Sequence, residues 1–179
     1  PPEVVKERIP ILLEGTTVKS LKIKLGSVDG IQADKSMFEQ VVKSTKNYNV
    51  KIRVDANGGW NIADAKHMMQ WLADRGVDYV EQPLKEGEEF NLEELYENRP
   101  VPIYLDETCR FSENISSFAH CVDGVNMKLM KCGGITEALK IIKTARKYKL
   151  KTMIGCMSES SVSIAAAAAL SAVSYTHLT

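Results

Sequence analysis

Three acidic residues recur at nearly even intervals, each near the end of a short apolar run. Asp55 lies in "KIRVDA", Glu81 in "DYVEQP" and Asp106 in "PIYLDE", at intervals of 26 and 25 residues. Lys24 in "SLKIKL" and Lys128 in "GVNMKLM" hold the matching positions in the flanking runs. Converging carboxylates repel one another and need a cation, and oxygen ligands without His or Cys favour Mg²⁺. The pattern therefore predicts a magnesium site, unless the acids are separate, solvated strand ends.

These residues fall within a regular alternation of strand and helix patterns. Helical periodicity marks residues 61–76, where Asn61 is suited to cap the first turn, and residues 136–150. A repeat of strand and helix every ~25 residues implies βα units and a parallel sheet. The predicted strands lie at residues 20–25, 50–56, 78–83, 102–107, 124–130 and 151–157.

The positions of the acids favour a (β/α) barrel over an open, doubly wound sheet. In a barrel the carboxyl ends of the strands converge on one mouth, where active sites are built, whereas an open sheet spreads them along an edge. No GxGxxG or GxxxxGK[ST] motif opens a helix, so the sequence does not support a dinucleotide or P-loop site. We predict an α/β fold, a partial TIM-type (β/α) barrel of about six βα units.

Length and composition limit the class of protein. The 179 residues, 44% of them hydrophobic, suit one globular domain with a sizeable core. The 23 basic and 23 acidic residues are interspersed, which argues against a nucleic-acid partner. Residues 161–173 form an Ala-rich apolar stretch too short to span a bilayer, so we expect no membrane partner. The chain opens without a secretory signal and its four cysteines lack a CxxC pair, which favours reduced thiols and a cytoplasmic location.

Six motifs resemble, in order, those of one enzyme family. They are "LKIKLG", "RVDANGGW", "VEQPL", "LDET", "NMKLMKCGGI" and "IGCMSES", and they resemble the barrel motifs of the enolase superfamily, in its muconate-lactonizing-enzyme subgroup. Within that subgroup the chain looks most like the dipeptide epimerases of the L-Ala-D/L-Glu type. The resemblance implies that Asp55, Glu81 and Asp106 bind Mg²⁺ and that Lys24 and Lys128 are the two acid/base groups.

Such a site would move a proton next to a carboxylate. Removal of the proton α to a carboxylate creates an enediolate, whose charge a divalent metal can stabilise. The base must be neutral near pH 7. Lys22 and Lys24 project to one face of their strand, and like charge together with burial is expected to lower their pKa, with Lys22 in a supporting role. In an eight-stranded barrel Lys24 and Lys128 would face each other, so that one removes the proton and the other returns it on the opposite side.

Five further residues near the strand ends receive supporting roles. Asn57 and Glu107, each just beyond a predicted ligand, are expected to orient the metal site or the second lysine, or to act as turn and cap residues. The resemblance places Cys156 and Met157 where the main chain contacts the substrate. It also places Glu159 near the catalytic end, with charge complementarity at a helix N-terminus as the alternative.

Two features that follow Lys128 are interpreted as structural. Lys131 lies three residues further along the predicted strand, so its side chain is expected to point to the other face. Gly133 and Gly134 are expected to form a tight turn into the next helix.

The chain departs from the family pattern at both ends. The resemblance implies a capping domain and a first barrel strand before this sequence, and an eighth strand with a DxD motif after it, none of which appears. We therefore expect residues 1–173 to be part of the barrel domain of a longer enzyme, inactive by themselves, and residues 174–179 to be a tail of doubtful origin.

Three functions remain open at this stage. The favoured one is a Mg²⁺-dependent dipeptide epimerase, because of the "GCM" stretch at residues 155–157. The second is another member of the subgroup, such as an o-succinylbenzoate synthase, an N-acylamino acid racemase or a muconate cycloisomerase. The third is an inactive remnant that keeps the acids for folding only. We expect a small-molecule substrate, a dipeptide, and a homo-oligomer for the full-length protein.

Overall fold

The structure, a computed structural model, describes residues 2–175, with side chains as far as residue 172. The chain divides into two compact units, Pro1–Pro102 and Ile103–Thr179, and each is described by itself. Most of the expected tail, residues 176–179, lies outside the described residues. The last helix continues to Tyr175, so the first two residues of that expected tail are helical.

The first unit alternates helices with three parallel strands. Along the strands, Lys24 lies beside Asp55 and Asp55 lies beside Glu81, so the three strands end at the same level. The strands are β1 (Ser20–Lys24), β2 (Lys51–Asp55) and β3 (Val80–Glu81). The helices are α1 (Pro2–Leu13), α2 (Ile31–Thr45), α3 (Ile62–Ala73) and α4 (Leu92–Glu97), the last preceded by a 3₁₀ turn at Glu89–Asn91.

Helix α3 illustrates how local sequence determines an element of this unit. The side chain of Asn61 accepts a hydrogen bond from the main-chain N–H of Asp64, which caps the first turn as predicted. Gly76 follows the helix in the left-handed region, with φ of 71°, which a residue without Cβ adopts at little cost. The buried side of α3 repeats at helical spacing through Ala65, Met68, Met69 and Leu72.

Strand β3 is shorter than its sequence pattern predicts, and its end has a local cause. Glu81 still belongs to the ladder, because its carbonyl accepts a hydrogen bond of 2.9 Å from the N–H of Ala56. Gln82 then turns into the left-handed region with φ of 40°, and Pro83 has no N–H to donate. The chain therefore leaves the sheet immediately after the carboxylate.

The second unit also contains three parallel strands. Leu105 lies beside Val125, and Met127 lies beside Ile154. The strands are β4 (Ile103–Leu105), β5 (Gly124–Met127) and β6 (Lys151–Ile154). The helices are α5 (Ser112–Phe118), α6 (Leu129–Cys132), α7 (Ile135–Lys147) and α8 (Ser161–Tyr175). Each unit therefore follows the βα alternation that the sequence predicts.

The region after β5 differs from its prediction. The strand was expected over 124–130, but it ends at Met127 and the chain turns at once into α6. Lys128 lies between the two elements, and Lys131 lies in the short helix. The predicted turn is confirmed, since Gly133 has φ of 79° and Gly134 has φ of 135°, both in the region that favours glycine.

Three of the four cysteines are buried, and Cys156 is exposed. All four are free thiols, as predicted, and the buried ones are Cys109, Cys121 and Cys132. Between residues 2 and 175, no helix has the length and apolar character required to cross a bilayer.

Candidate functional site

In the first unit, Lys22 joins two buried carboxylates. Its Nζ atom donates to both carboxylate oxygens of Glu81, at 3.0 and 2.9 Å, and lies 3.3 Å from Oδ2 of Asp55. Both acids are almost completely buried, whereas 30% of the Lys22 side chain is exposed. Buried charges are tolerated when they are paired, so the ammonium group stabilises the two carboxylates at the ends of β2 and β3.

The charge state of Lys22 corrects the prediction made for it. Burial lowers the pKa of Lys22, but the hydrogen bond to Glu81 and the charges of Glu81 and Asp55 outweigh it and raise the pKa above its ordinary value. The prediction of a lowered pKa was wrong for Lys22, because it included the positive charge of Lys24 but not the negative charges of Glu81 and Asp55. Lys22 is therefore a permanent cation near neutral pH.

Lys24 differs from Lys22 in its surroundings. It ends β1 beside Asp55, and the N–H of the following residue, Leu25, donates to the carbonyl of Asp55 at 2.8 Å. The lysine is exposed, contrary to the expected burial, and its ammonium group forms no hydrogen bond or ion pair with any residue that the structure describes. It is therefore free of the carboxylate pairing that holds Lys22 charged.

Asn57 contacts Asp55 through its main chain. The N–H of Asn57 donates to Oδ1 of Asp55 at 3.0 Å, and Asn57 has φ of 47°, a left-handed conformation that Asn tolerates better than most residues. This turn fixes one oxygen of the Asp55 carboxylate, while Lys22 lies next to the other.

In the second unit, two lysines converge on one buried acid. Lys128 donates to Oδ2 of Asp106, and Lys131 donates to Oδ1 and to the main-chain carbonyl of the same residue. Lys131 also donates to the carbonyl of Asn126 at 3.0 Å. The expectation that Lys131 points away from Lys128 was wrong. The two residues are three positions apart at the start of a helix, where this spacing places side chains on the same face, and not in a strand, where it places them on opposite faces.

This pairing determines the charge of Asp106. Burial by itself would raise the pKa of Asp106, but the positive charges and hydrogen bonds of Lys131 and Lys128 hold it below its ordinary value. The carboxylate is therefore ionised at neutral pH. Glu107, the next residue, is half-buried, and its expected orienting role remains a prediction.

The chain around β6 encloses Lys128 from the other side. A Cβ atom on Gly155 would lie 2.7 Å from Oδ1 of Asn126 and 3.1 Å from Cε of Lys128. Only glycine fits beside this lysine without displacing a neighbour. No role for Gly155 was predicted, although its position just after a predicted strand that neighbours the one leading to Lys128 was a usable signal.

Cys156, Met157 and Glu159 follow Gly155 on the segment between β6 and α8. Cys156 and Met157 are exposed, which leaves them accessible to a ligand. Glu159 accepts a hydrogen bond of 2.8 Å from the N–H of Met157 and another from the hydroxyl of Ser163. These bonds, with a smaller contribution from the charge of Lys128, lower the pKa of Glu159. Glu159 therefore orders the start of α8 and lies within electrostatic reach of Lys128.

Comparison with known proteins gives consistent matches along the chain. Residues 6–178 match the family described as "Enolase C-terminal domain-like". A relative from Flavobacteria bacterium (strain MS024-2A), named hydrophobic dipeptide epimerase, is 76% identical over 170 residues, which are 95% of this chain and 49% of the relative. A protein of the same name from Roseobacter litoralis is 56% identical over 173 residues, 97% of this chain and 50% of the relative.

A solved structure extends the match to three dimensions. The crystal structure of a dipeptide epimerase from Enterococcus faecalis V583, complexed with Mg and the dipeptide L-Leu-L-Tyr, has a TM-score of 0.86 and 35% sequence identity. The match covers 96% of this chain and 48% of that chain, so the chain spans about half the length of the relatives it matches. The likeness confirms the predicted fold class, α/β of the partial (β/α)-barrel type. On these grounds the chain belongs to the enolase C-terminal domain-like family.

Proposed function

We propose that the whole protein containing this chain is a Mg²⁺-dependent epimerase that removes and returns the proton α to a carboxylate on a dipeptide. The observation that carries the proposal is that buried carboxylates end parallel strands and that each contacts a lysine. The relatives at 76% and 56% identity are named hydrophobic dipeptide epimerases, which favours an apolar dipeptide over L-Ala-D/L-Glu.

Asp55, Glu81 and Asp106 are the residues that we propose to bind Mg²⁺. The donor set fits this ion, since all three are carboxylates and all three are buried. A buried carboxylate needs hydrogen-bond donors or a neighbouring positive charge, and at each of these three acids a lysine supplies positive charge. When bound, Mg²⁺ would supply electrostatic stabilisation of the negative charge that develops on the substrate carboxylate.

Lys24 and Lys128 are the proposed acid/base pair. In one direction the neutral amine of one lysine takes the α-proton, the C–H bond breaks, and its electron pair remains on the substrate. The ammonium group of the other lysine then donates a proton to the same carbon from the opposite side, and a new C–H bond of inverted configuration forms. Among the residues that the structure describes, Lys24 has no carboxylate partner, which supports its use as a base.

The remaining residues take supporting parts in the proposal. Lys22 and Asn57 hold the Asp55 carboxylate, by the contacts given above. We propose that Glu107 and Glu159 orient the site around the second lysine, and that main-chain groups at Cys156 and Met157 contact the dipeptide. We also propose a cytoplasmic, homo-oligomeric enzyme, and the four free thiols are consistent with a reducing compartment.

The test is α-proton exchange in D₂O, followed by NMR on the whole protein. L-Leu-L-Tyr and its epimer are each incubated with the Lys24→Ala variant and with the Lys128→Ala variant. Both variants should lose epimerisation, because every turnover uses both lysines. Each should still exchange the α-proton of one epimer, the one whose proton faces the remaining lysine, and the two variants should select opposite epimers.

The matched control is Lys143→Ala, which removes an exposed lysine of α7 and should leave exchange and turnover unchanged. Exchange of both epimers by a single variant would contradict the two-base assignment. Substantial turnover in one of the two variants would instead indicate a relative in which one lysine only stabilises charge, as in a cycloisomerase.

A further inference from the structure

A buried carboxylate outside the proposed site holds the loops that follow its strands. Asp34, in the first turn of α2, is 2% exposed. Its Oδ2 atom accepts hydrogen bonds from the N–H of Gly26 at 3.1 Å and from the indole Nε1 of Trp60 at 2.8 Å. Its Oδ1 atom accepts from the N–H of Ser27 at 2.9 Å. All three partners are donors, so they satisfy the buried acid without a neighbouring cation.

The three donors come from two different loops. Gly26 and Ser27 lie directly after β1, which ends with Lys24, and Trp60 lies in the loop after β2, which ends with Asp55. One carboxylate therefore joins the segments that leave the sheet immediately beyond two of the proposed site residues. A shift of either loop would break at least one charge-assisted hydrogen bond.

The main chains of the same two loops are in direct contact. A Cβ atom on Gly26 would lie 2.0 Å from the carbonyl oxygen of Ala56, and one on Gly59 would lie 2.4 Å from Cα of Gly26. Neither position accepts a side chain, since the obstacles are main-chain atoms. Gly26 and Gly59 thus allow the close approach of the two loops, which the hydrogen bonds to Asp34 then hold together.

Trp60 extends this arrangement to the loop after β3. It forms an isolated parallel bridge with Leu84, and both residues are buried. The N–H of Gly58 donates to the carbonyl of Gln82, the residue after Glu81, at 2.8 Å. The loops after β1, β2 and β3 are therefore connected in series through Asp34 and Trp60.

We infer that Asp34 and Trp60 are positioning residues, which keep Lys24, Asp55 and Glu81 in place by tying together the three loops beyond their strands. The inference rests on the proposed function for the importance of those three residues. The connection between the loops is a separate claim, and it can be measured without any catalysis.

The first experiment is hydrogen–deuterium exchange, followed by mass spectrometry, on the whole protein. Asp34→Asn keeps the shape of the side chain but places an amide N–H₂ against donors. We expect faster exchange in residues 25–30 and also in 56–60, with exchange of α7 unchanged. Asp29→Asn is the matched control, because it removes an exposed carboxylate from the same loop and should leave exchange as in the wild type.

Trp60→Phe provides a second variant in case Asp34→Asn does not fold. It keeps one aromatic ring and removes the indole N–H together with the rest of the five-membered ring, so exchange should rise strongly in residues 56–60 and less in residues 25–30. Faster exchange confined to 25–30 in Asp34→Asn, or an even rise over the whole chain, would overturn the inference. Exchange confined to residues 25–30 would show that the two loops are independent. An even rise over the whole chain would show a general loss of stability.

The second experiment measures Mg²⁺ affinity by calorimetry and kcat at a temperature where every variant is folded. Loss of a partner that orients a site costs about 10- to 100-fold in affinity or activity, and we expect Asp34→Asn to fall in that range. If the variants have a lower Tm but an unchanged Mg²⁺ affinity and an unchanged kcat, Asp34 and Trp60 have a purely structural role. If Asp34→Asn shows the expected exchange pattern but the wild-type protein does not epimerise dipeptides, the connection between the loops is supported and only the proposed function is contradicted.

Discussion

Gly155 leaves the space that the side chain of Lys128 occupies: a Cβ atom there would lie 3.1 Å from Cε of the lysine. The same atom would lie 2.7 Å from Oδ1 of Asn126, which is buried, so the obstruction involves two side chains. Lys128 is held on its other side by Asp106. The lysine is therefore enclosed, and its Nζ atom has little freedom to relocate.

Gly155→Ala should consequently reduce activity more than stability. Overpacking costs about 1–3 kcal/mol of stability, and a displacement of a reacting group by 1 Å can lower the rate by about 10²-fold. We expect kcat to fall at least tenfold while the protein remains folded at 25 °C, as measured by dipeptide turnover and circular dichroism. Ser158→Ala, on the same segment and exposed, is the control. Full activity in Gly155→Ala would show that Lys128 tolerates displacement.

Lys131→Met should weaken the Asp106 region without removing the second acid/base group. The substitution leaves Lys128 as the described ammonium partner of Asp106 and removes the hydrogen bond to the Asn126 carbonyl. A hydrogen bond to a charged group contributes about 2 kcal/mol, so we expect a loss of that size in the free energy of unfolding and weaker Mg²⁺ binding. Denaturant titration and calorimetry measure the two effects. Lys143→Met, at an exposed site, should show neither effect.

Removal of the metal should abolish turnover reversibly. We expect loss of activity in EDTA and recovery with Mg²⁺, because the proposed ligands are three carboxylates. Glu81→Gln removes one charge with little change of shape and should lower kcat by about 10²-fold or more. Glu97→Gln, at the exposed end of α4, is the matched control. Undiminished turnover after exhaustive chelation would exclude the metal assignment.

The thiols should differ sharply in reactivity. Burial raises the pKa of Cys109 from 9.0 to about 12, so its thiol remains protonated and enclosed in the folded protein. At pH 8, iodoacetamide should label the exposed Cys156 and leave Cys109 unlabelled until guanidinium unfolds the chain, as peptide mapping can determine. Rapid labelling of Cys109 under native conditions would contradict its burial.

The same pKa predicts an effect of pH on stability. The folded state disfavours the Cys109 thiolate, so the stabilisation is fully present below pH 9 and is lost as the pH rises from 9.0 towards about 12. Cys109→Ala should flatten the dependence of Tm on pH over that interval. A control with Cys156→Ser should retain the slope of the wild type.

Local signals in the sequence predicted the elements of the fold well. Asn61, Gly76 and the apolar spacing between them predicted α3, because capping and periodicity depend only on neighbours in the chain. The predicted strands were each longer than the observed ones. Gln82 and Lys128 illustrate the reason: Gln82 turns into the left-handed region and Lys128 directly precedes a short helix, and the strand-like pattern of the sequence signals neither change.

The positions of the three acids near strand ends were predicted, but the lysines that contact them were only partly foreseen. The order of the acids and lysines along βα repeats was sufficient to suggest strand-end carboxylates, since strand direction alone places them. The pairing of Lys22 with Glu81, and of Lys131 with Asp106, required the structure. These contacts join residues 59 and 25 positions apart, and no local pattern specifies them.

The sequence by itself determined the types, order and spacing of the chemical groups, and through them the βα repeat and the family. Only the tertiary structure decided which of the lysines contact a carboxylate, and that Lys22 is held charged by two of them, because such contacts join side chains from different strands. It also decided that Asp34 holds two loops. A carboxylate in a helix is ordinary in a sequence, and its role follows only from the three donors that the fold brings to it.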